Sequence, residues 1–382
     1  MSLKVAVLKE TQAGERRVAM VPAVVDKLVK LGAEVAVQAG AGDAVSFPDS
    51  AYTGATIATD QRAMVAVADV VLGVQPPGAD VVRAMKEGAV LISFIYANRE
   101  PGLVCLLRDR KLTCFAMELV PRITRAQALD ALSSQAALAG YYSVLLAGTQ
   151  LPRILPRMTT ATGALRPATV LVIGLGVAGL QAIATARRLG AVVEGYDVRP
   201  ETREEAASLG AKFVDTGVDA RGEGGYAREL SADEKAKVAA VLTKHIQSAD
   251  VVITTAAVPG RPSPKLISKA QVDGMKHGAV IVDLAAEGGG NCEYSRPGET
   301  IRVGQVTVAA PLNVPSLLGE HASEVYARNV FNLMELLVAD GKLALDWSDE
   351  VVARTALTHG GEIRNEAARK AVESVPRTEQ GS

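Results

Sequence analysis

Apolar positions along this chain fall into short runs that alternate with helical patterns from the first residues onward. Runs of about four to eight residues rich in Val and Ile, bounded by polar turns, are typical of buried strands. Strands are predicted in the first half at 4–8, 34–38, 69–74, 89–95 and 113–118, and in the second half at 169–173, 192–196, 212–215, 250–255, 279–284 and 306–309. Since strands that alternate with helices form parallel sheets, the pattern predicts an α/β protein.

The same pattern occurs twice along the chain. Three segments of the first half return in the same order in the second half. The pairs are KLGAEVAV (30–37) with RLGAVVEG (188–195), ADVVLGV (68–74) with ADVVITT (249–255), and MKEGAVLISF (85–94) with MKHGAVIVDL (275–284). Three matches in one order predict two copies of one topology, each a Rossmann-like doubly wound parallel sheet.

Two long helical segments are predicted to join these copies. The first, residues 124–150, opens with Thr124 and Gln127 at capping-box spacing, and Pro152 ends it. The second lies within residues 313–342 and is amphipathic, so we expect it to pack back on the first domain. The predicted fold is therefore α/β, with two Rossmann-like domains joined by long helices.

The positions of these helices suggest how the chain divides. We predict an N-terminal Rossmann-like domain of residues 1–130 that is completed by the C-terminal segment 315–382. Residues 131–314 are predicted to form a second, nucleotide-binding Rossmann domain. The polar residues 346–382 show no clear period, and we expect them to form a loosely attached tail.

Composition narrows the range of functions. Of the 382 residues 48% are apolar and 4% aromatic, as in soluble α/β enzymes. The 41 basic and 42 acidic residues form no basic block, so no nucleic-acid partner is predicted. Three separated cysteines and four scattered histidines predict neither a disulfide framework nor a metal site. No apolar run approaches the roughly 18 residues of a membrane span, so no direct span is expected.

A glycine-rich turn is the strongest local signal. The sequence TVLVIGLGVAGLQ places Gly174, Gly176 and Gly179 between a β-branched strand and a helix. In such a motif the first glycine permits a tight turn, the second lets the backbone approach a pyrophosphate, and the third allows close packing of helix on strand. Val177 and Ala178 begin the helix, whose N-terminus would face the phosphates. The turn predicts a dinucleotide site.

Asp197 ends the next predicted strand, about 20 residues after the glycine turn. A carboxylate at this place accepts hydrogen bonds from the adenine ribose 2′-hydroxyl and repels a 2′-phosphate, which favours NAD over NADP. Val198 and Arg199 continue this edge of the predicted site. The sequence leaves the role of Arg199 open, since an arginine could pair a phosphate, stack on the adenine or face solvent.

Two further turns are predicted at the carboxyl ends of later strands. They are ITTAAVPG (253–260) and VDLAAEGGGN (282–291). The small residues that would leave room for a nicotinamide ribose are Thr255, Ala256 and Ala257. Asp283 in the second turn is either a site residue or a turn former, and the sequence does not decide between these roles.

Two segments depart from this Rossmann pattern. The first turn of the first half, KETQAGERRVAMVP (9–22), is charged instead of glycine-rich, so this half is predicted to cover the dinucleotide. The segment RGEGGYARELSADEKAK (221–237) is an insertion between two strands of the second half. Its glycines predict a mobile loop in which Tyr226 folds over a bound nucleotide. The alternative is a disordered surface insertion.

Over nearly its whole length the chain resembles the NAD(H)-binding subunit of proton-translocating nicotinamide nucleotide transhydrogenase. The resemblance is carried by KETQAGERRVAMVP, MELVPRITRAQALDALSSQAALAGY, VIGLGVAGLQAIATARRLGA, EGGYARELS and GGNC. The second of these motifs is specific to that family, whereas the glycine-rich region is shared with the structurally related alanine dehydrogenases. The resemblance implies that this chain binds NAD(H), that a partner subunit binds NADP(H), and that hydride passes directly between them.

The family pattern also implies roles for four residues of the second motif. Arg122, Asp130 and Ser133 would orient the NAD(H) carboxamide and its surroundings at a cleft between the two domains. Gln127 would reach toward the NADP(H) of the partner. The alternative is that the motif only caps a connecting helix, with Gln127 bonded to backbone. In the same family the position of Tyr226 belongs to a mobile loop that closes on NAD(H).

The resemblance implies partners as well. The relatives work with a separate NADP(H)-binding domain and with a membrane domain that conducts protons. The related folds are homodimers, so we expect this chain to dimerise. We expect it in the cytoplasm, peripherally associated with the inner (plasma) membrane through those partner subunits.

A soluble, alanine-type amino-acid dehydrogenase is the alternative function. It would need an acid/base group, because protons move as water and ammonia attack the substrate carbon. Gln75 and Tyr96 stand where the dehydrogenase pattern has a lysine and a histidine, although Arg17 matches its carboxylate-binding arginine. Gln does not titrate and Tyr titrates at about pH 10. Hydride exchange between two nicotinamides needs only alignment and exclusion of water. A third interpretation is a non-enzymatic, NAD-sensing module.

Overall fold

The chain alternates strands and helices throughout the residues that the computed structural model describes, which are 2–219, 228, 230–257 and 262–373. Its strands are β1 (Leu3–Val7), β2 (Ala33–Gln38), β3 (Thr56–Ala58), β4 (Val70–Leu72), β5 (Val90–Ser93), β6 (Thr113–Ala116), β7 (Met158–Thr160), β8 (Gly163–Leu165), β9 (Thr169–Ile173), β10 (Val192–Tyr196), β11 (Lys212–Phe213), β12 (Val251–Thr254), β13 (Val280–Asp283), β14 (Thr300–Val303), β15 (Val306–Ala309), β16 (Val338–Ala339), β17 (Lys342–Leu343), β18 (Ala356–His359) and β19 (Glu362–Ile363). Its helices are α1 (Pro22–Lys30), α2 (Gln61–Val67), α3 (Ala79–Ala84), α4 (Pro101–Asp109), α5 (Ala131–Gln150), α6 (Val177–Arg188), α7 (Thr202–Ser208), α8 (Ala232–Ser248), α9 (Lys269–Asp273), α10 (Val314–Leu317), α11 (Gly319–Leu337), α12 (Glu350–Thr355) and α13 (Glu366–Glu373).

The chain folds into two compact units. The first unit consists of Met1–Gln135 together with Pro315–Ser382, and the second consists of Ala136–Val314. The chain leaves the first unit within α5 and returns to it after Val314. Each unit contains one large sheet.

The sheet of the first unit has the order β19-β18-β6-β5-β4-β1-β2-β3. The strands from β6 to β3 are parallel, and β18 and β19 extend the sheet in antiparallel pairs. The sheet of the second unit has the order β11-β10-β9-β12-β13-β15-β14, in which only β14 pairs antiparallel. The α/β class predicted from the alternation of elements is therefore confirmed.

The two sheets share one topology. The order β3-β2-β1-β4-β5-β6 of the first unit matches the order β11-β10-β9-β12-β13-β15 of the second. The three repeated segments end in equivalent strands, namely β2 and β10, β4 and β12, and β5 and β13. The predicted internal repeat is thus confirmed. In each sheet the winding direction reverses once, between β1 and β4 and between β9 and β12, and such switch points are where doubly wound sheets bind ligands.

Apolar strands and helix faces form the cores of both units. The central strands are Val- and Ile-rich and buried along their length, as expected for parallel strands covered by helices on both faces. As predicted, the long helix α11 packs in the first unit, where Tyr326, Val330 and Met334 share a core with residues of β1 and β4. Burial of this apolar helix face stabilises the return of the chain to the first unit.

Two predicted segments differ from the structure near their ends. Residues 124–150 are not one helix, since Thr124–Leu129 is a 3-10 turn and α5 begins at Ala131. The insertion 221–237 is not a loop throughout, because residues 232–237 are the first turns of α8. Ser231 and Glu234 form a capping box at its start. A surface helix that begins with polar residues carries little apolar periodicity there, so the pattern missed these turns.

The loosely attached tail predicted for 346–382 is wrong for the residues that the structure describes. β18 pairs with β6 and makes the C-terminal segment part of the first sheet. Val351, Val352 and Leu357 are fully buried. These elements are short and lie at the edge of the sheet, where no long periodic pattern is needed.

Candidate functional site

The glycine-rich turn joins β9 to α6 at the switch point of the second unit. Gly174 has a backbone φ of 92°, a left-handed conformation that glycine adopts without strain. A Cβ on Gly179 would lie 1.8 Å from the carbonyl oxygen of Gly174, so only glycine lets α6 start this close to the strand. A Cβ on Gly176 would meet no atom of the described residues within 4 Å. Packing therefore requires the first and third glycines, while the second faces space that a ligand can enter.

Asp197 follows β10 and is hydrogen-bonded to the glycine turn. Its carboxylate accepts the backbone N–H of Leu175 at 2.7 Å and that of Arg199 at 2.9 Å. The guanidinium of Arg199 also donates to both carboxylate oxygens at 3.0 Å. These bonds to Asp197 raise the pKa of Arg199 above its ordinary value. The predicted ribose-binding carboxylate thus lies beside the turn, with an arginine partner already in place.

The loop after β12 also contacts the glycine turn. The hydroxyl of Thr255 donates to the carbonyl of Gly174 at 2.8 Å, and its N–H donates to the carbonyl of Ile173 at 2.9 Å. Both polar backbone groups of Ala256 are bonded to the side chain of Asn291, which the sequence analysis did not single out. The only sequence signal for this asparagine is its place at the end of a glycine run after a strand.

Asp283 proves to be a turn former. It is fully buried, and its carboxylate accepts hydrogen bonds from the Thr254 hydroxyl at 3.0 Å and the Ser295 hydroxyl at 2.5 Å. The backbone N–H groups of Ala285 and Cys292 donate to the same carboxylate at 3.0 and 2.9 Å. Because four donors surround it, Asp283 holds the glycine-rich loop after β13 in one conformation.

Most of the predicted cofactor residues therefore come together at the carboxyl edge of the second sheet. They are Gly174, Gly176, Val177, Ala178, Gly179, Asp197, Val198, Arg199, Thr255, Ala256 and Ala257. Tyr226 lies outside the described residues. Val177 is 44% exposed, which leaves the start of α6 accessible to a ligand.

The predicted hydride-transfer residues lie on one segment of the first unit. In the 3-10 turn Thr124–Leu129 the apolar Ala126 and Leu129 point into the core, whereas Gln127 is exposed. Arg122, just before this turn, is exposed as well. The turn therefore presents polar side chains to solvent from a backbone held by buried neighbours.

Asp130 caps the helix that follows this turn. Its carboxylate accepts the N–H of Ser133 at 2.9 Å and the hydroxyl of Ser133 at 2.6 Å, as in a helix N-cap. The capping box considered for Thr124 and Gln127 is wrong, because Ile123 precedes the 3-10 turn and makes no side-chain cap bond. Asp130 and Ser133 are thus fixed against each other, and both are half-buried.

Other residues of the first unit anchor this segment. The side-chain amides of Asn329 and Asn332 in α11 donate to the carbonyl of Ala128 at 2.8 and 2.9 Å. Arg125 forms two hydrogen bonds with Asp349, at 2.6 and 2.8 Å, and Asp349 in turn caps α12. Arg125 therefore stabilises the C-terminal segment, a role that the sequence did not reveal.

The charged first turn of the first unit spans the switch point between β1 and β4. The carboxylate of Glu10, which follows β1, accepts the N–H groups of Val74 at 2.6 Å and Gln75 at 3.3 Å, which follow β4. Burial raises the pKa of Glu10 to about 7. A carboxyl group of the chain itself therefore lies where a ligand would enter a doubly wound sheet.

Glu15 and Arg17 continue this polar cluster. The guanidinium of Arg17 donates to the two oxygens of Glu15 at 2.9 and 2.6 Å and to Gln135 at 2.9 Å. Gln75 donates to Glu15 at 2.8 Å. Although burial opposes ionisation, Arg17 lowers the pKa of Glu15 to about 2. The arginine matched to a substrate clamp is here bonded to groups of its own chain.

Metal ions and membrane spans find little support in the described ranges. No three His, Cys, Asp or Glu side chains converge there in a way that could hold a metal ion. Among the helices of these ranges, none combines the length and the apolar character needed to cross a membrane.

Two family models match the chain. The model "Alanine dehydrogenase/PNT, N-terminal domain" matches residues 6–139, and "Alanine dehydrogenase/PNT, C-terminal domain" matches residues 143–366. Together these matches include both switch points and the segment around Asp130.

Similar proteins and solved structures agree with these matches. An NAD(P) transhydrogenase alpha subunit from Rhodospirillum rubrum is 46% identical over 374 residues, which are 94% of this chain and 97% of the relative. An alanine dehydrogenase from Mycolicibacterium smegmatis is 30% identical, with 96% of each chain covered. A solved transhydrogenase from Sinorhizobium meliloti has a TM-score of 0.84 at 43% identity, covering 95% of this chain and 99% of that one. A solved L-alanine dehydrogenase, at 23% identity and a TM-score of 0.81 with 97% and 99% covered, shares the fold.

Proposed function

The chain belongs to the alanine dehydrogenase/PNT family, and from this membership we propose that it is the NAD(H)-binding component of a proton-translocating nicotinamide nucleotide transhydrogenase. In this proposal hydride passes directly between NADH on this chain and NADP+ on a partner subunit. The proposal rests above all on the 46% identity to the Rhodospirillum rubrum subunit over 97% of its length, against 30% for the alanine dehydrogenase.

The second unit supplies the NAD(H) site in this proposal. The pyrophosphate would lie against Gly176 and the N-terminus of α6, where added atoms meet open space. Asp197 would accept the adenine ribose hydroxyls, exchanging part of its bonding with Arg199 for them. The loop Thr255–Ala257 would line the nicotinamide end of the dinucleotide.

The segment around Asp130 supplies the groups for hydride transfer. Arg122, Asp130 and Ser133 would orient the nicotinamide carboxamide, and the exposed Gln127 would reach toward NADP(H). Hydride transfer between two nicotinamides moves no proton at either carbon, so these residues need only align the rings and exclude water. The anchoring of this segment by Asn329 and Asn332 supports such a positioning role.

A direct test combines this chain with the NADP(H)-binding subunit of a transhydrogenase. NADH that carries deuterium at C4 should transfer it to an NADP+ analogue with shifted absorbance, and the label should be retained because no solvent exchange occurs. The control omits one subunit at a time. Transfer no faster than in those controls would contradict the proposal, and loss of the label would contradict direct transfer.

The alanine-type dehydrogenase remains the second candidate. The observation in its favour is Arg17, which matches the carboxylate-binding arginine of that pattern. Against it, Gln75 offers no titrating group, and Arg17 is 3% exposed and bonded to Glu15 and Gln135. NADH formation from alanine by this chain alone would establish the dehydrogenase, and NADH binding without any reaction in either assay would favour the non-enzymatic module.

The assembly is proposed to contain two copies of this chain. The hairpin of β7 and β8 is exposed at all six strand positions, and within the described residues these strands pair only with each other. Because an isolated two-stranded hairpin is marginally stable in water, a second copy that covers it would stabilise it. Light scattering should give a dimer for the wild-type chain and a monomer after deletion of 158–165; a dimer after the deletion would place the interface elsewhere.

Association with the membrane is proposed to occur through partner subunits. A membrane domain that conducts protons and the NADP(H)-binding domain would hold this chain at the cytoplasmic face of the inner membrane. Vesicles that contain both partners should sediment this chain, whereas protein-free vesicles should leave it in the supernatant. Binding to protein-free vesicles would instead indicate direct lipid contact.

A further inference from the structure

One side chain holds both polar backbone groups of Ala256. Oδ1 of Asn291 accepts the N–H of Ala256 at 3.0 Å, and Nδ2 donates to the carbonyl of Ala256 at 2.8 Å. Nδ2 also donates to the carbonyl of Pro264 at 2.9 Å. Asn291 is fully buried. Its amide thus bonds the residue after β12 much as a neighbouring strand would.

Asn291 is itself held in place. Its carbonyl accepts the N–H groups of Leu266 and Ile267 at 2.8 and 3.0 Å. The next residue, Cys292, donates its N–H to the buried Asp283 at 2.9 Å. With its backbone bonded on both sides, Asn291 presents its amide to Ala256 in one orientation.

Ala256 in turn lies against the nucleotide turn. A Cβ on Gly174 would lie 3.0 Å from the amide nitrogen of Ala256, and the neighbouring Thr255 bonds the carbonyl of Gly174. A shift of Ala256 would therefore displace the edge of the site next to the glycine turn. Asn291 follows β13, so it bonds Ala256 without occupying the switch point between β9 and β12.

We propose that Asn291 is a positioning residue for the nicotinamide half of the bound dinucleotide. Its amide fixes the loop Thr255–Ala257 beside the glycine turn, so that the nicotinamide ribose meets a preformed edge. This inference rests on the NAD(H) site of the proposed function and adds a residue that makes no contact with the ligand itself.

The substitution Asn291→Asp tests the proposal through pH. A protonated Asp accepts from the N–H of Ala256 and donates to one carbonyl, whereas an ionised Asp repels the carbonyls of Ala256 and Pro264. Burial raises the pKa of such a carboxyl group, so the ionisation falls between about pH 5 and pH 8. The NADH affinity of the variant should therefore fall about tenfold or more as the pH rises, while the wild-type affinity changes little.

A matched control comes from a second buried amide of the same unit. Gln271 is 6% exposed, caps α9 with Ser268 and donates to the hydroxyl of Thr243 at 2.9 Å. The substitution Gln271→Glu makes the same chemical change without touching the loop Thr255–Ala257. Its NADH affinity should follow that of the wild type across the pH range.

A second variant separates positioning from a general loss of structure. Asn291→Ala carries no charge and should weaken NADH about tenfold at every pH, because the N–H of Ala256 loses its partner. Its affinity for ADP-ribose, which lacks the nicotinamide, should stay near the wild-type value. Equal losses for NADH and ADP-ribose would overturn the inference.

Two outcomes distinguish this inference from the proposed function. Wild-type NADH affinity in both Asn291 variants at all pH values would overturn the inference and leave the NAD(H) site intact. Failure of the wild-type chain to bind NADH would instead remove the proposed function. Circular dichroism at each pH shows whether a variant is folded, and where Asn291→Asp unfolds, the ADP-ribose comparison with Asn291→Ala decides.

Discussion

The two units have the same strand order but use their switch points in opposite ways. In each, the loop after the fourth strand of the shared topology has a backbone N–H that needs a partner, at Gln75 in the first unit and at Ala256 in the second. Glu10 supplies that partner in the first unit from the turn after β1. In the second unit Asn291 supplies it from the loop after β13.

The origin of the partner decides whether the switch point stays open. Glu10 bonds across the space between β1 and β4, and with Glu15 and Arg17 it forms a buried polar cluster there. Asn291 approaches from the far side, so Gly176 keeps open space beside it. One topology can therefore form a closed, internally paired edge or a ligand site, depending on which neighbouring loop satisfies the same backbone group.

The glycines of the second unit offer the largest test of this difference. Gly179→Ala would place a Cβ 1.8 Å from the carbonyl of Gly174, and we expect the unfolding free energy to fall by about 3 kcal/mol or more. Gly176→Ala fits a backbone with φ of −79° and should leave stability within about 1 kcal/mol while weakening NADH about tenfold or more. Denaturant unfolding and NADH fluorescence measure both effects. A Gly176→Ala variant with wild-type affinity would mean that the pyrophosphate does not approach there.

The closed switch point should show itself in the pH dependence of stability. Glu10 has a pKa of about 7 in the folded chain, against an ordinary value of 4.5 for an exposed glutamate. The unfolded chain thus loses this proton first, and the unfolding free energy falls between those pH values by about 3 kcal/mol, at about 1.4 kcal/mol per pKa unit. Glu10→Gln should remove this decline, whereas Glu335→Gln on the surface should keep it. An unchanged decline in Glu10→Gln would locate its cause elsewhere.

Asp197 sharpens the comparison at the open switch point. Asp197→Ala should weaken NADH by about 1–3 kcal/mol, because ribose hydroxyls lose an acceptor and the N–H of Leu175 loses a partner. NADPH should be affected less, since Arg199 is then available for a 2′-phosphate. Isothermal titration with both nucleotides measures the two losses. Equal losses for NADH and NADPH would remove the role of Asp197 in cofactor choice.

Asp130 combines a structural bond with a proposed role in transfer, and two substitutions separate them. Asp130→Ala should lower the unfolding free energy by about 1 kcal/mol through loss of the N-cap. Asp130→Asn keeps a good cap and should be nearly as stable as the wild type, yet it should slow hydride transfer more than it weakens NADH binding. If Asp130→Asn lost transfer and NADH affinity equally, the carboxylate would serve ground-state binding alone.

Arg125 should give the smallest effect. Its ion pair with Asp349 is partly exposed, so Arg125→Gln should cost less than about 1 kcal/mol of stability. Neither NADH affinity nor the rate of hydride transfer should change, because the side chain bonds to the C-terminal segment. A slower transfer in the mixed assay would instead place Arg125 among the residues that act on the nucleotides.

Much of the fold could be predicted because its signals are local. Val-rich strands of the parallel sheets, the capping residue before α8 and the left-handed Gly174 each depend on a few neighbouring residues. The short strands β18 and β19 escaped prediction because they become regular only by pairing with β6, far away in sequence. The helix cap was assigned to Thr124 instead of Asp130, since both are followed by plausible partners and only the packed chain selects one.

The sequence by itself determined the α/β class, the internal repeat and the residue types that a dinucleotide requires, because periodicity and turn chemistry act over a few residues. Only the tertiary structure decided that Glu10 spans one switch point, that Asp283 is a turn former, and that Asn291 leaves the other switch point open. These bonds join residues that lie tens of positions apart, as between Asn291 and Ala256, which are 35 positions apart. Each buried backbone group must find some partner, and the packing of distant loops selects which one.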